Sequence, residues 1–312
     1  MVRGLLKEGT MAKAPVAFIS VAVIVTLLVF PLLCTSQYIL HMAILLFIYM
    51  VLAASWNLLG GYTGQLNLGH ATFFGVGAYA SAMLHLAGVP DLIGIVLGGV
   101  ASSIFGVIIS PTFRLRGVYF AIGTLALTEA MRAVITNVNA LGGASGLRLQ
   151  DVQGYSKTHY YYIALIILIL SLITIYRVIH SRIGMAFRAI CGSESAAESL
   201  GVNPFIFKVS SLVISAFWAG IIGGFYAAYI LYVEPNNAFS LFWTFNPVFA
   251  VILGGMGTFW GPIFGAVVFV LISELTVGFG KMSSLIVGAL LIGVIILVPR
   301  GIMGYVGGRN KT

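Results

Sequence analysis

The sequence predicts an all-α, polytopic integral membrane protein with about ten transmembrane helices and glycine-rich interruptions in some of them. Three observations carry that prediction. Of the 312 residues, 60% are hydrophobic and 8% charged, against roughly 25% charged in ordinary soluble domains. Apolar runs of about 20 residues recur along the whole length, each long enough to cross a hydrocarbon core about 30 Å thick. The runs are continuous in Leu, Ile, Val, Ala and Gly rather than alternating, and backbone groups in lipid must bond internally, so helices follow rather than barrel strands.

Taken in order, the expected spans are 15–33, 38–59, 66–87, 92–110, 117–136, 159–179, 209–231, 242–257, 262–276 and 284–298. The first follows Arg3, Lys7 and Lys13. It is long for a cleaved signal core and no small-x-small pattern follows it, so it is expected to be retained. Residues 1–14 form an N-terminal tail, 15–299 one transmembrane domain and 300–312 a C-terminal tail. Alternating the loops puts Arg3, Lys7, Lys13, Arg114, Arg116, Arg177, Arg182, Arg188, Lys208, Arg300, Arg309 and Lys311 on one side, with Arg148, Lys157 and Lys281 on the other. The basic side is the cytoplasmic one, so both termini are expected there.

Two connections are longer than a turn requires. The extracytoplasmic loop 137–158 is rich in Gly, Ser, Asn and Gln, as an exposed lip should be. The cytoplasmic loop 181–208 contains ESAAESL at 194–200, good helix formers followed by Gly201 as a helix stop and then Pro204. A short helix at the membrane face is expected there.

The stretch 57–81, NLLGGYTGQLNLGHATFFGVGAYAS, sets Asn57, Gln65, Asn67 and His70 among Gly60, Gly61 and Gly64. Glycines loosen a helix, and polar side chains in lipid are costly unless they face protein or a water-filled cavity. A broken helix or re-entrant hairpin lining a pathway satisfies both facts; tight packing with polar residues bonded across the contact is the alternative. A second interrupted stretch, 246–272, carries Gly254, Gly255, Gly257 and Gly261, and Leu59-Gly60-Gly61 and Leu253-Gly254-Gly255 would be equivalent points of a duplicated architecture. Small residues every four positions, at Ala216, Gly220, Gly224 and Ala228 and at Gly257, Gly261 and Gly265, predict close helix crossings. Glu129 and Arg132, three apart in one span, share a face and can pair; an ionisable residue at that depth is a pathway candidate, with a structural pair as the alternative.

Other classes are excluded by what is missing. Gly280-Lys281 is followed by Met282 and has Leu275 where a phosphate loop needs its first glycine, so the chain does not hydrolyse ATP alone. No His-Glu-x-x-His or Gly-x-Ser-x-Gly occurs. Cys34 and Cys191 have no ligand-like spacing around them, so no metal site is indicated. The net charge of +8 is scattered between spans, which makes membrane lipid rather than nucleic acid the partner.

At 57–84 (NLLGGYTGQLNLGHATFFGVGAYASAML), 115–132 (LRGVYFAIGTLALTEAMR), 181–190 (SRIGMAFRAI) and 297–306 (LVPRGIMGYV) the chain resembles the LivM-like permeases of branched-chain amino acid ABC importers. The related permeases for urea and short-chain amides look similar. The resemblance implies a transport subunit rather than an enzyme, working by alternating access beside a second homologous permease, two cytoplasmic ATPases that hold the ATP and magnesium, and an extracytoplasmic solute-binding protein. It also implies a coupling helix written Glu-Ala-Ala-x-x-x-Gly. Ser195, Ala196, Ala197, Glu198 and Gly201 fall on it, with Ser195 in place of the glutamate. Two rivals remain at this point. An ion-coupled carrier or channel acting alone would rely on Glu129, and a purely structural subunit would need no path.

Overall fold

The computed structural model of the chain describes residues 26–34, 36–115, 117–150, 154, 156–278 and 301–307, with isolated positions between 282 and 293. The described helices are α1 (Gln37–Asn57), continued by a π turn (Leu58–Tyr62), α2 (His70–Leu86), α3 (Asp91–Ile108), α4 (Val118–Asn137), α5 (Lys157–Ile179), α6 (Arg182–Gly192), α7 (Glu194–Ser199), α8 (Pro204–Ile230), α9 (Pro235–Ala238), α10 (Phe242–Gly254), α11 (Gly261–Val277) and α12 (Gly301–Gly307). Of the first expected span, residues 26–33 are helical and the rest falls outside the described residues, as does most of 284–298.

Helix ends that the alternating topology assigns to one side do meet. Lys157 Nζ donates to the carbonyl of Gln37 at 3.4 Å, the Tyr38 hydroxyl donates to Glu274, and the His85 ring sits 3.0 Å from the carbonyl of Gln150. On the same side β1 (Leu147–Arg148) pairs antiparallel with β2 (Tyr232–Val233), in register Leu147 to Val233 and Arg148 to Tyr232. At the opposite, basic face Asn57 reaches Thr258, Cys191 reaches Gly61, and Lys208 pairs with Glu194.

Helix α1 is the central post, buried at Ile44, Ile48, Val51, Leu52 and Trp56 and packed against α5, α8, α10 and α11. Helices α2, α3 and α8 form a tight trio built on small residues. A Cβ on Gly98 would lie 2.7 Å from the carbonyl oxygen of Gly77, and one on Gly220 would lie 2.9 Å from that of Gly98. Backbones this close are held by dispersion along their whole length, which replaces a hydrophobic driving force that lipid cannot supply. By contrast α3 turns Leu92, Val96, Ile104 and Ile108 outward, and α4 does so with Val118, Tyr119 and Ile122. In water such faces would aggregate; in a bilayer they are the surface offered to acyl chains.

Three expectations are corrected. The 209–231 span begins earlier, at Pro204, because the Asn203 carboxamide accepts from the backbone N–H of Phe205 and Ile206 and fixes the helix start there. The loop 181–208 therefore shortens, and it holds two helices instead of one. The 242–257 span stops at Gly254, leaving Gly257 in a turn with φ +73°, so Gly257, Gly261 and Gly265 do not share a helical face.

Candidate functional site

The interruption after α1 is real. Its last turn widens to π geometry at 58–62, residues 63–69 leave the helix, and α2 starts at His70. Peptide groups freed in a buried stretch must find other partners. The backbone N–H of Leu68 donates to Thr124 Oγ1 at 3.1 Å, that of Gly69 to Asn67 Oδ1 at 2.8 Å, and that of Ala71 to Thr244 Oγ1 at 2.8 Å. The carbonyl of Asn67 accepts from Trp56 Nε1 at 2.7 Å, and Thr72 and Thr128 join their hydroxyls at 2.8 Å. A ring of side chains from α1, α4 and α10 thus replaces the missing helical ladder.

The polar residues singled out in the sequence divide into three groups. Asn67 and His70 are buried at this junction; His70 Nε2 lies 3.0 Å from Ser55 Oγ, while Asn67 Nδ2 and His70 Nδ1 have no hydrogen-bond partner among the described residues. Gln65 is half-buried at its edge and, among the described residues, its side chain reaches only the carbonyl of Thr63 at 3.4 Å. Asn57 does something different: its Nδ2 donates to the carbonyl of Thr258 and its Oδ1 accepts from the N–H of Gly257, both at 2.9 Å. The two glycine-interrupted stretches are therefore clamped to each other. Gly61 must be a glycine for this, since a Cβ there would stand 2.6 Å from the nitrogen of Gly257. Gly60 lies inside the π turn, Gly64, Gly255 and Gly257 take positive φ, and Gly254 and Gly261 bring their backbones together at the start of α11.

Glu129 stands apart from the junction, on the far-face half of α4, where Arg132 Nε donates to its Oε2 at 2.9 Å. Sequence reading missed Ser55, Thr124, Thr128 and Thr244. The hydroxyls of Thr124 and Thr128, four apart in an apolar helix, were the available signal, because they mark one polar stripe.

The segment 193–202, where the sequence resemblance places a coupling helix, is built with defined ends. Ser193 Oγ accepts from the N–H of Ala196 to start α7. Its end is a Schellman motif: Val202 N–H to the carbonyl of Ala197 at 3.1 Å, Gly201 N–H to that of Glu198 at 2.9 Å, and Gly201 at φ +84°. Ser195, Ala196, Glu198 and Gly201 are exposed, and Leu200 is 82% exposed beside them. Ala197 is buried, so it anchors the helix rather than presenting a surface. Behind it, α6 buries Phe187 among Leu58 and Tyr62 of the π turn and Ile175 and Ile179 of α5, and Arg188 Nη2 caps the α5 end by donating to the carbonyl of Ile179 at 3.0 Å. The exposed segment and the interrupted helix are thus one packed unit.

Residues 38–298 match the family described as the permease component of branched-chain amino acid transport systems. The chain is similar to the high-affinity branched-chain amino acid transport system permease protein LivM of Salmonella typhimurium, at 30% identity, covering 82% of this chain and 68% of the relative. LivM of Escherichia coli K12 is 29% identical, with 91% and 74% covered. The permease protein LivH of E. coli K12 is 24% identical, with 82% and 91% covered. No solved structure matches the chain. With a match across nearly all the described helices, the chain belongs to the permease family of branched-chain amino acid transport systems.

Proposed function

We propose that the chain is the membrane-embedded subunit of an ATP-driven importer that carries leucine, isoleucine and valine across the cytoplasmic membrane by alternating access. Its basic face looks into the cytoplasm, as the positive-inside rule requires of Arg114, Arg177, Arg182, Arg188 and Lys208. There α7 meets one of two ATPase subunits, which hold ATP and magnesium. A second permease of the same family completes the membrane part, and a solute-binding protein delivers cargo to the far face.

One observation carries this reading: Phe187, five residues before the end of α6, is buried directly against the π turn that leads into the interrupted segment. Displacement of α6 and α7 by a closing ATPase pair presses on Leu58 and Tyr62, hence on the Asn57 clamp and the 63–69 stretch. Such a relay needs packed elements with two arrangements, and a short π turn beside glycines is a place where a second arrangement is cheap.

The test is reconstitution with the sister permease, ATPases and binding protein. Ala196→Arg and Glu198→Arg lie on the exposed side of α7, so the subunit should still insert while ATP-dependent leucine uptake falls at least tenfold. Full uptake by both variants would refute the coupling assignment. A wild-type assembly that hydrolyses ATP and moves no branched-chain amino acid would refute the transport reading itself.

A further inference from the structure

Between α4 and the α9–α10 corner, on the far-face half, lies a cavity of about 400 Å³. Its lining combines the polar Glu129, Arg132 and Asn236 with the apolar Leu241, Phe242 and Phe245. We propose that this cavity is a subsite for the zwitterionic head and aliphatic tail of a free amino acid, an inference that rests on the transport reading above and names its contact residues.

The ion pair is incompletely used. Arg132 sends both Nε and Nη2 to the same oxygen of Glu129, Oε2, and its Nη1 to Asn236 Oδ1 at 3.0 Å. Among the described residues Oε1 of Glu129 has no partner, and the guanidinium keeps one free N–H on each terminal nitrogen. The two side chains are 40% and 42% exposed, so both charges face the cavity. An α-ammonium group fits Oε1, and an α-carboxylate fits the free guanidinium edge, each through charge-assisted bonds. Such a ligand leaves the charges of the pair in place and answers both poles at once. Its side chain then falls against Leu241, Phe242 and Phe245, and Phe242 is 66% exposed with nothing else to cover it among the described residues.

The depth is also telling. Arg132 lies about one and a half turns inside the end of α4 at Asn137. An ion pair held there against lipid would be costly, whereas one lining a wet groove at the entrance is not. A neutral amide or a sugar matches neither pole. The site therefore selects zwitterions over the amides that related permeases carry, between delivery at the far face and the junction at 63–72.

The experiment uses the complete importer in proteoliposomes, with assembly checked by gel filtration. A charge swap, Glu129→Arg with Arg132→Glu, keeps a pair but reverses its poles. Leucine uptake should fall about tenfold or more, the loss expected when charge-assisted bonds to substrate are removed. Wild-type uptake together with swap uptake within twofold of it would show a structural pair and overturn the subsite alone. A wild-type complex that moves no leucine overturns the transport reading and the subsite together. Should the swap fail to assemble, the wild type decides: a diazirine analogue of leucine should label 241–245, with labelling competed by L-leucine and not by L-leucinamide. Absent labelling, or equal competition by leucinamide, overturns the proposal.

Discussion

Replacing Asn57 with Ala tests whether the two interrupted stretches are held by one side chain. The carboxamide makes two 2.9 Å bonds to backbone groups of Gly257 and Thr258, and Asn57 itself is 2% exposed. A buried hydrogen bond contributes about 0.5–1.5 kcal/mol net, and an orphaned partner costs about 1–3 kcal/mol. Gly257 and Thr258 are half-buried, so water relieves part of the penalty, and a loss of about 2–4 kcal/mol is expected for the pair. Equilibrium unfolding in mixed micelles, read by tryptophan fluorescence, measures it, with Gln65→Ala as the control. Gln65 carries the same amide but makes one 3.4 Å contact, so its loss should stay within about 0.5 kcal/mol. If Asn57→Ala behaves like Gln65→Ala, the clamp contributes nothing and the linkage between the stretches must be sought elsewhere.

Phe187→Ala empties the pocket between α6, α5 and the π turn; a core loss of about 3–5 kcal/mol is expected, with ATP hydrolysis continuing in the assembled importer while uptake is lost. Lys208 is 5% exposed and its partner Glu194 43%. Glu194→Gln, which strands a buried ammonium, should therefore destabilise by about 1–3 kcal/mol, and Lys208→Met should cost no more than about 1 kcal/mol in the same unfolding assay. Leu200→Ser should leave stability within about 0.5 kcal/mol, because the side chain is 82% exposed, yet weaken copurification of the ATPases.

Much of the fold was legible because lipid leaves so few options. Long apolar runs fix helices, and Gly201 marked the end of α7 by the left-handed conformation it alone adopts cheaply. The interruption at 57–70 was legible for a similar reason, since amides and an imidazole among glycines cannot face acyl chains. What satisfies the broken backbone was not. Thr124, Thr128 and Thr244 look like ordinary hydroxyls that could bond back within their own helices, and only the crossing of α4 and α10 over residues 68–72 gives them another role. The burial of Lys208 was equally hidden. A lysine just before an apolar run reads as a surface anchor, until Asn203 starts the helix early and turns that lysine inward toward Glu194.

Helix α8 has a consequence for communication across the bilayer. Its 27 residues form an unbroken rod about 40 Å long, with no proline beyond its first turn. One end is fastened to Glu194 through Lys208, and just past the other the Leu231 carbonyl takes the N–H of Leu149 at 2.9 Å and Tyr232 pairs with Arg148. A tilt begun at the Lys208 end is therefore carried along the rod to the strand pair at 147–149 and 231–233, which under the proposed function is the lip facing a delivery protein. In the proposed importer, cargo release and nucleotide state would then be tied by a single stiff member, with no need for a chain of smaller rearrangements between them.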